Sequence, residues 1–483
     1  MRKEPSARRW WVLAVVGLAQ LMVVLDATIV NISLPSAQQA LEFSNSDRQW
    51  IVTGYSLSFG ALLLLGGRLS DLVGRRRMLL IGLVGFATAS AIGGASTSFA
   101  MLLFARVVQG AFGAMLAPAA LSTLTVTFAD PAERGKAFGI YGAIAGGGGA
   151  LGLLVGGVLT EYLSWRWCLY VNVLLAVLAI TGVLVFIGRQ SRDPNVRLDG
   201  PGTILVITGL AALVYGLSEA DTKGWGSPVT LILLIAGIVL LAAFVAVERR
   251  VEHPLLPLRI VLDRFRGGSY LAIGLSAIGM FGIFLFLTYY LQLTLGYSPV
   301  TTGLSFLPMI AGLMVASTTS TTLLLPRLGP RPLIPTGLLI AAAGMVLLTQ
   351  IGLHTSYASG VLPGLVVIGL GLGLVFGCAM NMATYGADPE DAGVASAMVN
   401  TCQQVGGSIG TALLNTIAAG AVTSYVTAHG PGQVVLAQAQ VHSYTVAFWV
   451  AAGIFLAAAV VCALVLPSGI PRPVEGEAAA VPS

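Results

Sequence analysis

LVGRRRMLLIG, residues 72–82, closes one apolar run and opens the next, and RLGPRPLIPTG, residues 327–337, does the same further along the chain. At an offset of 255, Gly74 matches Gly329, Arg76 matches Arg331 and Gly82 matches Gly337. A second echo has an offset of 258, where Gly135, Gly148, Gly149 and Gly152 match Gly393, Gly406, Gly407 and Gly410. Two six-helix halves with an extra helix pair between them account for both offsets. Halves related in this way are a transporter signature and place a substrate site near mid-membrane between them.

The rest of the chain agrees. Of its 483 residues 56% are hydrophobic and only 9% charged, with a mean hydropathy of +0.88. Soluble domains carry roughly 25% charged residues, so this composition excludes a soluble protein with a large core. Apolar runs of about 20 residues recur, the length of a membrane-crossing helix. The alternating segments of ~10 residues that build an outer-membrane barrel are absent. Fourteen spans are expected, near 10–35, 49–66, 78–99, 101–128, 136–160, 167–188, 201–218, 228–247, 269–295, 301–325, 332–353, 358–382, 393–422 and 443–466. The first is read as an uncleaved helix, since no small-residue cleavage site precedes Asp26.

Charge fixes the orientation to be expected. With the N-terminus in the cytoplasm, 21 of the 25 lysines and arginines fall on the cytoplasmic side. Arg48, Arg166 and Lys223 fall outside, and Arg106 lies within a span. This asymmetry follows the positive-inside rule and supports an even number of spans. The pI near 9.1 therefore reflects cytoplasmic loops and not a nucleic-acid partner. The domains expected are a cytoplasmic N-terminus (1–9), a six-helix bundle (10–188), an inserted helix pair (189–248), an interfacial linker (249–268), a second bundle (269–466) and a disordered tail (467–483). The four cysteines have no metal-ligand spacing and imply no disulfide framework.

Asp26, in VVLDATIVNISLP (23–35), is the acidic residue that lies well inside a span. A charge there costs a few kcal/mol on insertion scales. At 1.5 Å per residue Asp26 is ~13 Å from the outer end of the first span, and Arg106 is ~8 Å into the fourth. Opposite charges at similar depth predict a pair. Glu161 is the second carboxylate to consider, at the outer end of the fifth span. Asn31, Gln109, Tyr289, Tyr290, Gln292, Asn400 and Gln404 are candidate linings of a substrate cavity, although each could equally bind a neighbouring helix. The glycine-rich run 139–157 lets helix backbones approach closely. No GxxxxGK[ST], HExxH or nucleophile elbow occurs, so neither direct ATP use nor enzymatic chemistry is supported.

GGRLSDLVGRRRMLL (66–80) resembles the loop motif between helices two and three of the major facilitator superfamily, with Leu72 where a basic residue is usual. LDATIVNISLP (25–35), LLFARVVQGAFGAMLAP (102–118), WRWCLYVNV (165–173) and YLQLTLGYSPVTTGLSFLP (290–308) resemble its 14-helix drug:proton antiporter branch. Leu153 and Leu174 stand where that branch usually has prolines. The resemblance implies an all-α polytopic membrane protein with the major-facilitator fold, in a bacterial plasma membrane. It implies a proton-coupled exporter of lipophilic drugs or antibiotics working by alternating access, with the proton gradient as energy source and no cofactor. Asp26 and Arg106 would carry proton coupling, and Gly67, Asp71, Gly74 and Arg75 an inner gate. Gly149, Gly152, Gly156 and Gly157 would form the antiporter-type helix. A monomer among membrane lipids is the expected working unit. The rival readings are an exporter dedicated to one metabolite or self-made antibiotic, and a proton-coupled importer.

Overall fold

A computed structural model describes residues 6–43, 45–128, 130–188, 199–251, 254–388, 391–430 and 432–469. Most of the expected tail, the start of the chain and the side chains of Asn31 and Leu153 lie outside the described residues. The described chain is helical almost throughout. The first half contains α1 (Ser6–Leu41), α2 (Asn45–Val73), α3 (Arg75–Gly94), α4 (Phe99–Thr127), α5 (Pro131–Tyr162) and α6 (Trp167–Phe186). The inserted pair is α7 (Gly200–Lys223) and α8 (Pro228–Glu248). After the short α9 (Leu258–Leu262) come α10 (Arg264–Tyr289), α11 (Pro299–Ser305), α12 (Leu307–Thr319), α13 (Leu325–Leu328), α14 (Pro330–Leu348), α15 (Leu362–Ala383), α16 (Ala392–His429) and α17 (Gln433–Val465).

Thirteen spans are long and apolar enough to cross a membrane, and α11, α12 and α13 together make one of them. The fourteenth is α5, whose parts Glu133–Ala145 and Gly147–Tyr162 meet at a 41° bend. The bend falls in the glycine run, where backbone hydrogen bonds are easily redirected. Local chemistry sets several starts. Ser98, Asp199 and Asp263 cap α4, α7 and α10 by accepting from Met101 N, Gly202 N and Phe265 N, each satisfying an amide that the helix leaves open.

In the first half α1 packs on α4, α5 and α6, while α2 and α3 pack on α4. In the second, α10 packs on α15, α16 and α17, and α14 on α15 and α17. The inserted α7 lies against both α2 and α16, and α8 packs on α7. Thr53 and Ser218 hydroxyls are 3.0 Å apart, Trp50 and Tyr215 rings 5.7 Å apart, and Trp225 Nε1 donates to Thr416 Oγ1. Basic residues gather at one end of the bundle, among them Arg8, Arg9, Arg76, Arg134 and Arg259. That end is called the basic face below.

The repeat is visible in the backbone. Gly74 (φ +96°) stands immediately before α3, and its counterpart Gly329 (φ +75°) immediately before α14. Both are in the left-handed region that glycine alone enters freely. The halves also meet in matched pairs: a Cβ on Gly393 would lie 2.4 Å from Gly67 O, and one on Gly135 2.7 Å from Thr321 O. Two span boundaries differ from expectation. The second span runs on to Val73 and not 66, so Gly67, Ser70 and Asp71 are helical and not in a loop. The last span begins at Gln433 and not 443, because α16 and α17 continue as an antiparallel hairpin beyond the apolar stretch.

Candidate functional site

Asp26 is fully buried in the first half, at the meeting point of five helices. Its Oδ2 accepts from Arg106 Nη1 of α4 at 2.6 Å. Its Oδ1 accepts from Gln109 Nε2 of α4 at 2.8 Å and from Asn172 Nδ2 of α6 at 2.7 Å. Arg106 also donates to Gln109 Oε1 and Ile51 O, and its guanidinium lies 4.2 Å from the centre of the Tyr55 ring on α2. Gln109 Nε2 further donates to Ser90 Oγ of α3. An ion pair held by so many donors meets the condition under which buried charges are tolerated. Asn172 Oδ1 and Tyr55 Oη, both buried, have no hydrogen-bond partner among the described residues.

The expected pairing of Asp26 with Arg106 is thus present in the geometry. Gln109, expected at a cavity wall, is instead spent on Asp26. Asn172, Ser90 and Tyr55 were not singled out from the sequence. Asn172 carried a usable signal, since it is the one amide in the otherwise apolar α6. Glu161 is exposed at the end of α5, away from this cluster.

At the basic face, α2 of the first half closes on α16 of the second. A Cβ on Gly67 would lie 2.6 Å from Ala397 Cβ and 2.7 Å from Gly393 O, so only glycine permits this approach. Asp71 Oδ1 accepts from Gly393 N at 3.1 Å, at the N-terminus of α16, where the helix dipole favours an anion. Arg75 Nη2 is 3.8 Å from the same oxygen. Gly74 sits at the turn that lets α3 start directly after α2. On the other side of the molecule Ser317 Oγ of α12 donates to Gly139 O of α5.

The glycines of α5 serve contacts with α1. A Cβ on Gly152 would lie 2.0 Å from Thr28 Oγ1, and one on Gly156 2.8 Å from Ile29 Cγ1. Gly149 faces Thr28 and Phe284 at ordinary contact distance, and Gly157 is buried. Leu174 is exposed on the outer surface of α6.

The remaining polar candidates are not brought together. Tyr290 is fully buried and donates to Gly352 O; Asn400 is buried and donates to Ser396 O of its own helix. Gln404 lies against Gly60 of α2, Gln292 is half-buried in a π-wound turn (Tyr290–Thr294), and Tyr289 is exposed. Tyr290 stands ~39 Å along α10 and Asn400 only ~12 Å along α16 at the helical rise, so one small ligand cannot touch both. A cavity of about 370 Å³ lies elsewhere, between α1 and α5 on the basic side of Asp26. Trp10, Leu13, Ala14, Gly17, Leu18, Leu21, Ile140 and Ile144 line it. Its wall is almost wholly apolar, which is why a search for polar residues did not find it.

Residues 16–411 match the family profile described as the Major Facilitator Superfamily. A puromycin resistance protein of Streptomyces alboniger is 51% identical over 466 residues, 96% of this chain and 92% of that protein. A cephamycin export protein of Amycolatopsis lactamdurans is 39% identical over 402 residues, 83% of each. Among solved structures, that of the human organic anion transporter TETRAN aligns with a TM-score of 0.63 at 18% identity, over 95% of this chain and 100% of that one. Helix architecture, profile and half-identical relative agree: the chain belongs to the Major Facilitator Superfamily, a membrane transporter and not an enzyme.

Proposed function

We propose that this transporter exports lipophilic small molecules of antibiotic type in exchange for protons, from a bacterial plasma membrane, as a monomer surrounded by lipid. The bodies that move are the bundles 10–188 and 269–466, and the basic face with both termini is cytoplasmic, in keeping with the arginine-rich loops there. One observation carries the reading: Asp26, buried without solvent contact and held by Arg106, Gln109 and Asn172. A carboxylate in that position is costly unless it has work to do. Its protonation would weaken the hold of Arg106 and free the helices α1, α4 and α6 to shift against one another. Gly67, Asp71, Gly74 and Arg75 then serve as the inner gate, and the apolar cavity between α1 and α5 suits a lipophilic substrate.

The relatives' names speak for export of antibiotics, and each names one compound, which favours a dedicated exporter over a broad one. Puromycin and a cephamycin are the first compounds to try. In inverted vesicles with an imposed proton gradient, wild type should accumulate the right compound, and an uncoupler or Asp26→Asn should each abolish accumulation. A mutant that still accumulates substrate against its gradient would show that Asp26 is only structural. Flux of the opposite sign under the same gradient would make the protein an importer.

A further inference from the structure

The loop that receives Asp71 is held by residues from outside either bundle. Asp391 occupies the N-cap position of α16, yet its side chain makes no cap hydrogen bond. An aspartate there ordinarily accepts from the amide two or three residues on. Here the second of those amides, Gly393 N, is given to Asp71 of the opposite half. The Asp391 carboxylate turns the other way, and its Oδ2 lies 2.5 Å from Arg259 Nη2 of α9. Arg259 also reaches Asp388 at 3.5 Å. Arg266, whose Nη2 donates to Arg259 O, places its Nη1 on Gly386 O of the same loop. Tyr270 Oη bridges the loop's two ends by donating to Ala383 O and Ala395 O. The linker is itself anchored to the inserted pair, because Glu248 at the end of α8 accepts from Leu255 N and Leu256 N.

Two carboxylates, Asp71 and Asp391, therefore compete for one backbone amide. We propose that Arg259 decides this competition: by holding Asp391 away from its own helix, it leaves Gly393 N–H for Asp71 and so keeps the inner side closed. Arg259 is then a positioning residue of the gate, contributed by the linker. The inserted pair acquires a role through it, since α8 fixes where the linker begins. The idea rests on the reading of Gly67 and Asp71 as a gate, and its test must separate the two.

The reporter is Ser317→Cys, nearly isosteric and buried between the halves on the far side of the same face, in a chain whose four native cysteines are replaced. Labelling by a membrane-impermeant maleimide is followed in inverted vesicles. Asp71→Asn should raise the labelling rate; if it does not, the gate reading itself fails. Arg259→Ala should raise it about fivefold, the ratio expected when one helix-cap bond is redirected, and Arg259→Lys should restore most of the closure. The deciding variant is Arg259→Ala combined with Asp391→Ala. With the competitor gone, Asp71 should regain its amide and labelling should return to the wild-type rate. Unchanged labelling in Arg259→Ala, while Asp71→Asn labels fast, overturns the proposal. So does a double variant that stays as open as Arg259→Ala, since Arg259 would then be acting by packing alone.

Discussion

Asp26 accepts three donated hydrogen bonds and offers none while ionised. Once protonated it has a hydrogen to place, and it then needs an acceptor. Asn172 supplies one, for its buried Oδ1 has no partner and rotation of the amide would present it to Asp26. Asn172→Leu removes the donor of one state and the acceptor of the other. Transport should fall roughly tenfold or more, with the protein still in the membrane, as for an interaction that differs between states of the cycle. Initial efflux rates beside a membrane-fraction blot check this, and an unchanged rate would mean that Arg106 and Gln109 suffice. Arg106→Lys should be just as damaging, because a lysine cannot reach Asp26, Gln109 and Ile51 O at once. The Asp26–Arg106 pair was legible in the sequence, because two lone charges at like depth have few other ways to be accommodated. The arrangement around it was not, since nothing in the chain says which amide of which helix turns inward.

Helix α16 shows how far glycine spacing can be read, and where it misleads. Gly406 and Gly407 are the counterparts of Gly148 and Gly149 in α5. A Cβ on Gly406 would lie 2.1 Å from Gly274 O, whereas one on Gly407 would meet nothing within 4 Å. Gly406→Ala should therefore lower the detergent-solubilised protein's stability by about 1–3 kcal/mol through forced separation of α10 and α16. Gly407→Ala should be neutral or slightly stabilising, as alanine favours a helix over glycine by up to ~1 kcal/mol. Thermal unfolding of the two variants side by side decides, and equal destabilisation would contradict the packing described. Hydropathy located every span, because a helix in lipid must be apolar along most of its length. It misjudged ends where a helix outlasts its apolar stretch, as in α2 to Val73 and α17 from Gln433. There, packing against a partner helix sustains the structure: Tyr425 of α16, for example, stacks on His429 and lies 5.1 Å from His442 of α17.

Between the two halves, α7 bridges one seam and leaves the other to α5, α11 and α12. Its contacts with α2 are hydroxyl and ring contacts at several heights, which suits a helix that travels with the first half. A disulfide between Thr53→Cys and Ser218→Cys should then form readily and leave transport within about twofold of the reduced protein, since it joins parts with no relative motion. Efflux before and after reductant is the measurement, and strong inhibition would mean that α7 slides along α2 during the cycle. The plan of two bundles and an inserted pair was open to sequence reading because duplication leaves matched residues. The apolar cavity was not, since its wall is made of residues indistinguishable by type from those facing lipid.

The left-handed turns at Gly74 and Gly329 carry a historical consequence. Equivalent kinks at equivalent joints, with no counterpart for α7 and α8, point to a six-helix ancestor whose two copies once associated as separate chains. Fusion would have freed each copy to specialise. Asp26 and its donors grew up in one, while the equivalent region of the other kept only packing. A modern gene for either half, expressed apart from its sibling, would accordingly be the wrong relic to revive: the ancestor was symmetric, and the present halves are not.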